Sequence, residues 1–236
     1  MEAVLQKVIS ESGLMSRRQA EAAIRAGRVK VDGKKAELGQ KADPETQTIT
    51  ISGKVLPKKG DLIYLKFNKP AGYTCTNRKF AGEKNIFSLL PHKERLFSVG
   101  RLDKDSRGLI ILTNDGDLAL KLEHPRYGHG KVYEVTLKEK PQDGVALALR
   151  LRQGVDIGQS DGKVRAVQAQ YLQNRRIIIT LNEGKKRQIR RMFQALGAEV
   201  ADLRRTELAG LKLGQLAEGK WEALTEGELK RLKGKG

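Results

Sequence analysis

The chain has 236 residues, and its 46 Lys and Arg outweigh 28 Asp and Glu to give a formal net charge of +18. That length accommodates one or two domains with a substantial core, and a hydrophobic share of 39% supplemented by 25 glycines excludes disorder as the main state. No apolar run approaches the ~20 residues that cross a bilayer, the opening Met1-Glu2-Ala3 does not read as a secretory signal, and the lone Cys75 cannot form an internal disulfide or anchor a zinc cluster, so a cytoplasmic protein is expected.

The first sixty residues predict a small module. Val4, Leu5, Val8 and Ile9 recur at helical spacing, and Gly13 ends that helix. Ser16 reads as an N-cap with Gln19 as its capping-box partner, and Ala20, Ala23 and Ile24 form the apolar stripe of a second helix closed by Gly27. Arg28-Val29-Lys30-Val31 alternates as a strand, Asp32-Gly33 supplies a tight turn, and a further strand lies around 48–51. Lys58-Lys59-Gly60-Asp61 reads as a linker, dividing the chain into domains 1–60 and 61–236.

Beyond it, strands are expected over 62–67, 95–98, 108–113, 132–137, 164–171 and 176–181, and helices over 115–123, 142–152, 186–196 and 226–232. Strands are not each followed by a crossover helix, which argues against a doubly wound parallel sheet. The expected fold is α+β, with a mixed, largely antiparallel sheet flanked by helices.

The positive charge lies within the expected folded chain. Residues 175–205 hold nine Lys or Arg against three acids, whereas the last ten residues contribute only +3. Such a balance is the electrostatic footprint of a polyanion binder, with nucleic acid the commonest partner.

The densest chemistry lies in Gly100-Arg101-Leu102-Asp103-Lys104-Asp105-Ser106-Arg107-Gly108, which runs directly into the apolar stretch Leu109-Ile110-Ile111-Leu112. A carboxylate on that loop, among Arg101, Lys104 and Arg107, is kept ionised by its cationic neighbours. It suits nucleophilic or general-base work on an anionic substrate. Composition alone favours a surface loop whose acids balance nearby bases. Asp105 reads as local charge balance, and Asp115 and Asp117 as helix caps. His124 and His129 flank Pro125 with no cysteine nearby, so no metal site is expected, and Cys75 reads as an inert thiol.

The whole string from Gly100 to Gly116, ending in Thr113-Asn114-Asp115-Gly116, resembles the catalytic motif of the pseudouridine synthases. It is most similar to the bacterial ribosomal-RNA branch that carries an N-terminal S4-like RNA-binding domain. Asn68-Lys69-Pro70-Ala71-Gly72 is similar to the family's first motif, Lys131-Val132-Tyr133-Glu134-Val135 to its tyrosine motif, and Glu183–Met192 to its third. Ser16–Glu21 and Gly27–Gly33 look like the S4-like module.

The resemblance implies isomerisation of a uridine in ribosomal RNA, of large-subunit type, with transfer RNA as a second target and no metal or organic cofactor. It implies Asp103 as nucleophile, Tyr133 as the ring stacked on the target base, and Arg190 as the cation paired with Asp103. Ile189 packs against the extruded base, Arg101 fills the gap it leaves, and Lys69 completes the substrate-binding set, although Lys69-Pro70 also reads as a structural turn. Arg17, Arg18, Arg25, Arg28 and Lys30 of the module are expected to hold RNA phosphates. The chain is expected to act as a monomer with no membrane partner. The competing reading is a non-catalytic RNA-binding or ribosome-assembly factor of the same fold.

Overall fold

The computed structural model describes residues 2–76, 81–91, 94–158 and 160–234. They divide into two compact units, the first comprising residues 2–63 with 94–96 and Asn114–Gly116, the second the remainder.

In the first unit β1 (Ala3–Val4) precedes α1 (Leu5–Glu11), α2 (Arg17–Arg25), β2 (Val29–Val31), β3 (Lys34–Lys35), β4 (Lys41–Ala42), β5 (Ile49–Ile51) and β6 (Lys54–Val55). Helix α2 starts where expected because Ser16 and Gln19 close a reciprocal capping box, the serine side chain accepting from Gln19 N–H and the glutamine side chain from Ser16 N–H. Asp32 and Gly33 both adopt left-handed backbone (φ 50° and 78°), which is what a two-residue hairpin between β2 and β3 demands. Asp32 is also tied down, its carboxylate accepting from Thr48 N–H at 2.8 Å. Ala20, Ala23 and Ile24 pack with Leu5, Val8, Ile9, Val29, Val31, Ile49 and Ile51 into one core. Val4 belongs to β1 and not to the helix, because it pairs with Lys41 of β4.

The second unit runs β7 (Tyr64–Lys69), β8 (Phe97–Val99), β9 (Arg107–Thr113), α3 (Gly116–Glu123), β10 (Lys131–Leu137), α4 (Gly144–Gln153), β11 (Val155–Asp156), β12 (Lys163–Val164), β13 (Gln168–Tyr171), β14 (Arg176–Leu181), α5 (Gln188–Ala195), β15 (Val200–Leu208), β16 (Leu211–Lys212), β17 (Trp221–Ala223) and α6 (Glu226–Gly234). Most of the strands form one sheet in the order β13-β14-β10-β15-β9-β7-β17, with β16 and β8 appended. Every pairing in it is antiparallel except β15 with β9. Strand β9 is apolar on both faces because both are covered. Leu109 and Ile111 pack under α3 and α6 with Leu118, Leu122 and Leu232. Ile110 and Leu112 take the other face, in register with buried Phe67 and Leu65.

Two expectations need correction. The stretch 164–171 is not one strand, because β12 leaves the sheet to pair with β11 in a separate hairpin. More important, β15 lies in the middle of the sheet yet escapes sequence periodicity. Its pairing with β10 shifts register twice, between Val132 and Tyr133 and between Thr136 and Leu137. Its buried residues Val200, Leu203, Arg205 and Leu208 therefore lose the period-two spacing that marks a strand.

The parallel junction is tight. A Cβ on Gly108 would lie 2.3 Å from the Arg205 carbonyl oxygen, and Gly108 has φ +106°, which L side chains rarely adopt. Gly108→Ala is therefore expected to cost about 3 kcal/mol or more, from backbone strain and overpacking together. Urea denaturation of the purified variant checks this, against Gly219→Ala, where nothing lies within 4 Å of the new Cβ although φ is likewise positive.

Candidate active site

The loop that delivers Asp103 is clamped through its backbone. Lys69, at the end of β7, has no exposed surface, and its ammonium donates to the carbonyls of Pro70 (3.0 Å), Lys104 (3.1 Å) and Ser106 (2.5 Å). Gly72 N–H donates to the same Lys104 carbonyl at 2.8 Å. The Cys75 thiol donates to the Leu102 carbonyl at 3.3 Å while its sulfur accepts from Leu102 N–H at 3.4 Å. Ser106 N–H closes the turn on the Asp103 carbonyl at 3.0 Å. The carboxylate of Asp103 is left half-buried and, among the described residues, with no hydrogen-bond or ion-pair partner.

Beneath the loop lies a single cross-strand row. Tyr133 on β10 pairs with Arg205 on β15, Arg205 with Gly108 on β9, and Gly108 with Lys69 on β7. Register partners lie about 5 Å apart across a sheet, so these residues form one line across four strands, with the glycine allowing the Arg205 main chain to approach closely. Tyr133 is 8% exposed and Arg205 1%. Burial pushes the Lys69 ammonium below its ordinary value, an effect opposed by the negative charges of Asp105 and Asp103. Burial likewise pushes the Cys75 thiol up, so it stays protonated and serves as a hydrogen-bonding peg.

Helix α5 closes the loop from another side. Its first residues are fixed by Gln188, whose carboxamide accepts from Lys185 N–H at 2.9 Å and donates to Glu183 at 2.8 Å. Arg190 donates to the Val200 carbonyl at 3.0 Å and to the Asp105 carbonyl at 3.2 Å, and Ile189, Met192 and Phe193 form the buried side.

Comparison with known proteins decides the family. A family model described as RNA pseudouridylate synthase matches residues 63–195, and an S4 domain model matches residues 5–47. The chain belongs to the RNA pseudouridine synthases. It is 41% identical to an uncharacterized RNA pseudouridine synthase of Aquifex aeolicus (98% of this chain, 94% of that one). It is 38% identical to ribosomal large subunit pseudouridine synthase B of Bacillus subtilis (97% and 95%). A dual-specificity RNA pseudouridine synthase, RluF, of Escherichia coli is also 38% identical (95% and 76%). A solved pseudouridylate synthase superposes with a TM-score of 0.71 at 29% identity, covering 97% of this chain and 99% of that one. The α+β expectation of an S4 module followed by a largely antiparallel sheet thus holds, and the protein is an isomerase.

Within this pseudouridine synthase the expected site residues occupy several different environments. Asp103 and Arg190 come to the same loop, but they do not form an ion pair: the guanidinium holds the main chain at Asp105 instead of the Asp103 carboxylate. Lys69 is corrected from substrate contact to loop support, since it reaches no surface and its three donors serve three carbonyls. Ile189 is 4% exposed, while Arg101 is exposed at the loop's edge. Arg107, expected beside the carboxylate, is instead held by Asp202 through two bonds of 2.8 and 2.7 Å. Asp105 faces Arg187 at 3.7 Å, as charge balance requires. In the first unit Arg17, Arg18, Arg25, Arg28 and Lys30 are all exposed. His124 caps the turn at Pro125–Tyr127, its ring accepting from Arg126 N–H.

Arg205 had no sequence signal, while Gln188 and Arg191 lie in the stretch similar to the third motif but carried no expected role. Arg191 pins the segment after β11 by donating to the Ile157 and Gly158 carbonyls and to Asp161. Only the basic run of the third motif pointed toward it.

Lys69→Met is expected to leave loop carbonyls unpaired, costing about 2–3 kcal/mol at neutral pH. The cost should depend on pH. The unfolded chain binds the proton more readily between the depressed folded value of Lys69 and its ordinary 10.5, so wild-type stability rises with pH across that window. The Met variant lacks that rise, and urea midpoints of the two proteins should diverge as pH approaches 10.5. A constant difference would place the ammonium outside the buried row.

Proposed function

We propose that this enzyme converts a specific uridine of large-subunit ribosomal RNA to pseudouridine, with transfer RNA as a second class of target. The names of its Bacillus and Escherichia relatives support that substrate class. In this reading residues 61–236 carry the chemistry and residues 1–60 hold RNA, acting as a monomer in the cytoplasm.

The observation that carries the reading is the unpaired Asp103 carboxylate on a loop immobilised through its main chain. A nucleophile presented this way reaches its target without first breaking an ion pair and loses little freedom when it reacts. Asp103 opens the reaction. Tyr133 offers the aromatic face on which the base stays bound while it turns, and Ile189 closes the pocket. Arg190 aims the loop through the Asp105 carbonyl. A base within a stem has to be extruded first, at a cost of a few kcal/mol, and exposed Arg101 is placed to fill the vacated position. The exposed basic set of the first unit carries few aromatics, which suits phosphate contacts to structured RNA over stacking on single strands.

Release of tritium from C5-labelled uridine in ribosomal RNA tests the chemistry. Asp103→Asn is expected to slow release by ~10,000-fold or more, as loss of a nucleophile does elsewhere, with RNA affinity retained. Activity surviving that change would remove Asp103 from the mechanism, and a wild type inactive on ribosomal and transfer RNA alike would favour the non-catalytic alternative.

A second measurement addresses the first unit. Reversing Arg17 and Arg18 to Glu should weaken RNA binding and flatten the dependence of log Kd on log salt by about 2 or more. Equal loss on a hairpin too short to reach that unit would contradict the division of labour.

A further inference from the structure

The row beneath Asp103 holds two buried cations, Lys69 and Arg205, and no buried carboxylate accompanies them among the described residues. Lys69 is compensated by three carbonyl oxygens. Arg205 is not. Its Nε donates to the Leu109 carbonyl at 2.8 Å, but Nη2 is buried without a hydrogen-bond partner. An arginine remains charged in any protein environment, so its burial without an acid is a standing cost that packing alone does not require.

The position of that charge is defined. Arg205 is the register partner of Tyr133. Its field reaches the Cys75 thiol, which bonds the residue before Asp103, and also the half-buried Lys131 ammonium. The guanidinium therefore lies near both the tyrosine strand and the segment that supports the Asp103 loop.

We propose that Arg205 is a positioning residue whose buried positive charge stabilises the negative charge that develops on the uracil ring when its bond to the sugar breaks. This inference rests on the pseudouridine synthase reading above. In the isomerisation the N1–C1′ bond breaks and its electron pair stays on uracil. A C5–C1′ bond then forms from the turned ring, the C5 proton departs, and N1 gains a proton, so no oxidant or co-reactant is consumed. Between the two bonds the ring carries the charge. A fixed cation in a site closed to water stabilises that state without reorganising and acts little on the neutral ring bound before it. Of the two buried cations in the row, Lys69 has its charge offset by three loop carbonyls, whereas Arg205 keeps a donor unpartnered.

The test compares Arg205→Gln and Arg205→Lys in the full-length enzyme, under single turnover with saturating ribosomal RNA. Arg205→Gln should slow the reaction by ~10- to 100-fold with Kd for RNA unchanged, and Arg205→Lys should restore most of the rate. A structural role for the arginine would not separate charge from shape in this way. RNA carrying 5-fluorouridine supplies the second readout. Fluorine stabilises the ring anion by itself but cannot leave C5 as the proton does, so the gap between wild type and Arg205→Gln, read as loss of the N1–C1′ bond and not as pseudouridine formed, should narrow.

Arg205→Gln at the wild-type rate overturns the inference while leaving the enzyme reading intact. A wild type inactive on uridine RNA overturns both. Should the Gln variant not fold, Arg205→Lys decides alone: near-wild-type rate is expected, and a ~10-fold fall with native melting would show that guanidinium shape matters and charge does not.

Discussion

The close approach of Gly108 to Arg205 is the constraint on which the site depends. It is the parallel step in an otherwise antiparallel sheet, and it sets Tyr133, Arg205 and Lys69 in one line across four strands. A side chain at 108 would push β15 away and break that line. The same step puts the end of the Asp103 loop at the start of β9, directly over the row. Backbone spacing in a sheet is fixed to within tenths of an ångström, so the relation between the Asp103 loop and the aromatic ring is inherited from the ladder. Residues that hold the loop refine it.

Those residues work almost wholly through main-chain atoms. Lys69, Gly72, Cys75 and Arg190 all contact carbonyls or amides of residues 102–106, and none of them touches the Asp103 carboxylate. The consequence is a side chain free to react on a backbone that is not free to move. By contrast the ion pairs nearer the surface, such as Lys104 with Glu83 at 3.7 Å and Arg187 with Asp105 at 3.7 Å, are exposed. Pairs of that kind contribute between nothing and about 1 kcal/mol. The rigidity of the loop comes from buried hydrogen bonds.

How much of this the sequence discloses follows from how local each signal is. The capping box at Ser16 and the Asp32-Gly33 turn are decided within four residues, and both are legible. Strand β14 is found at its true bounds because Arg176–Leu181 alternates without a bulge. Strand β15 is missed because its bulges scramble the alternation, and Arg205 is missed with it: on a strand with no visible period, a basic residue reads as solvated. Lys69 misleads for a related reason. Its identity suggests contact with an anion, whereas its burial, which only the sheet reveals, commits it to carbonyls. Likewise Arg190 is found by motif, yet its partner is the Asp105 backbone because strand and helix geometry fix where its long side chain ends.

The two sets of cations in this protein differ in kind. The basic residues of the first unit are exposed, so their attraction for RNA is screened over a Debye length of about 8 Å at physiological salt. Lys69 and Arg205 are inside the sheet, where mobile ions do not enter and the effective dielectric is low. Their field is independent of salt and acts only on what is already bound. A net charge of +18 therefore conceals a division between exposed positive charge, which salt screens, and a small buried part, which it does not. Composition counts the two alike, and only burial tells them apart.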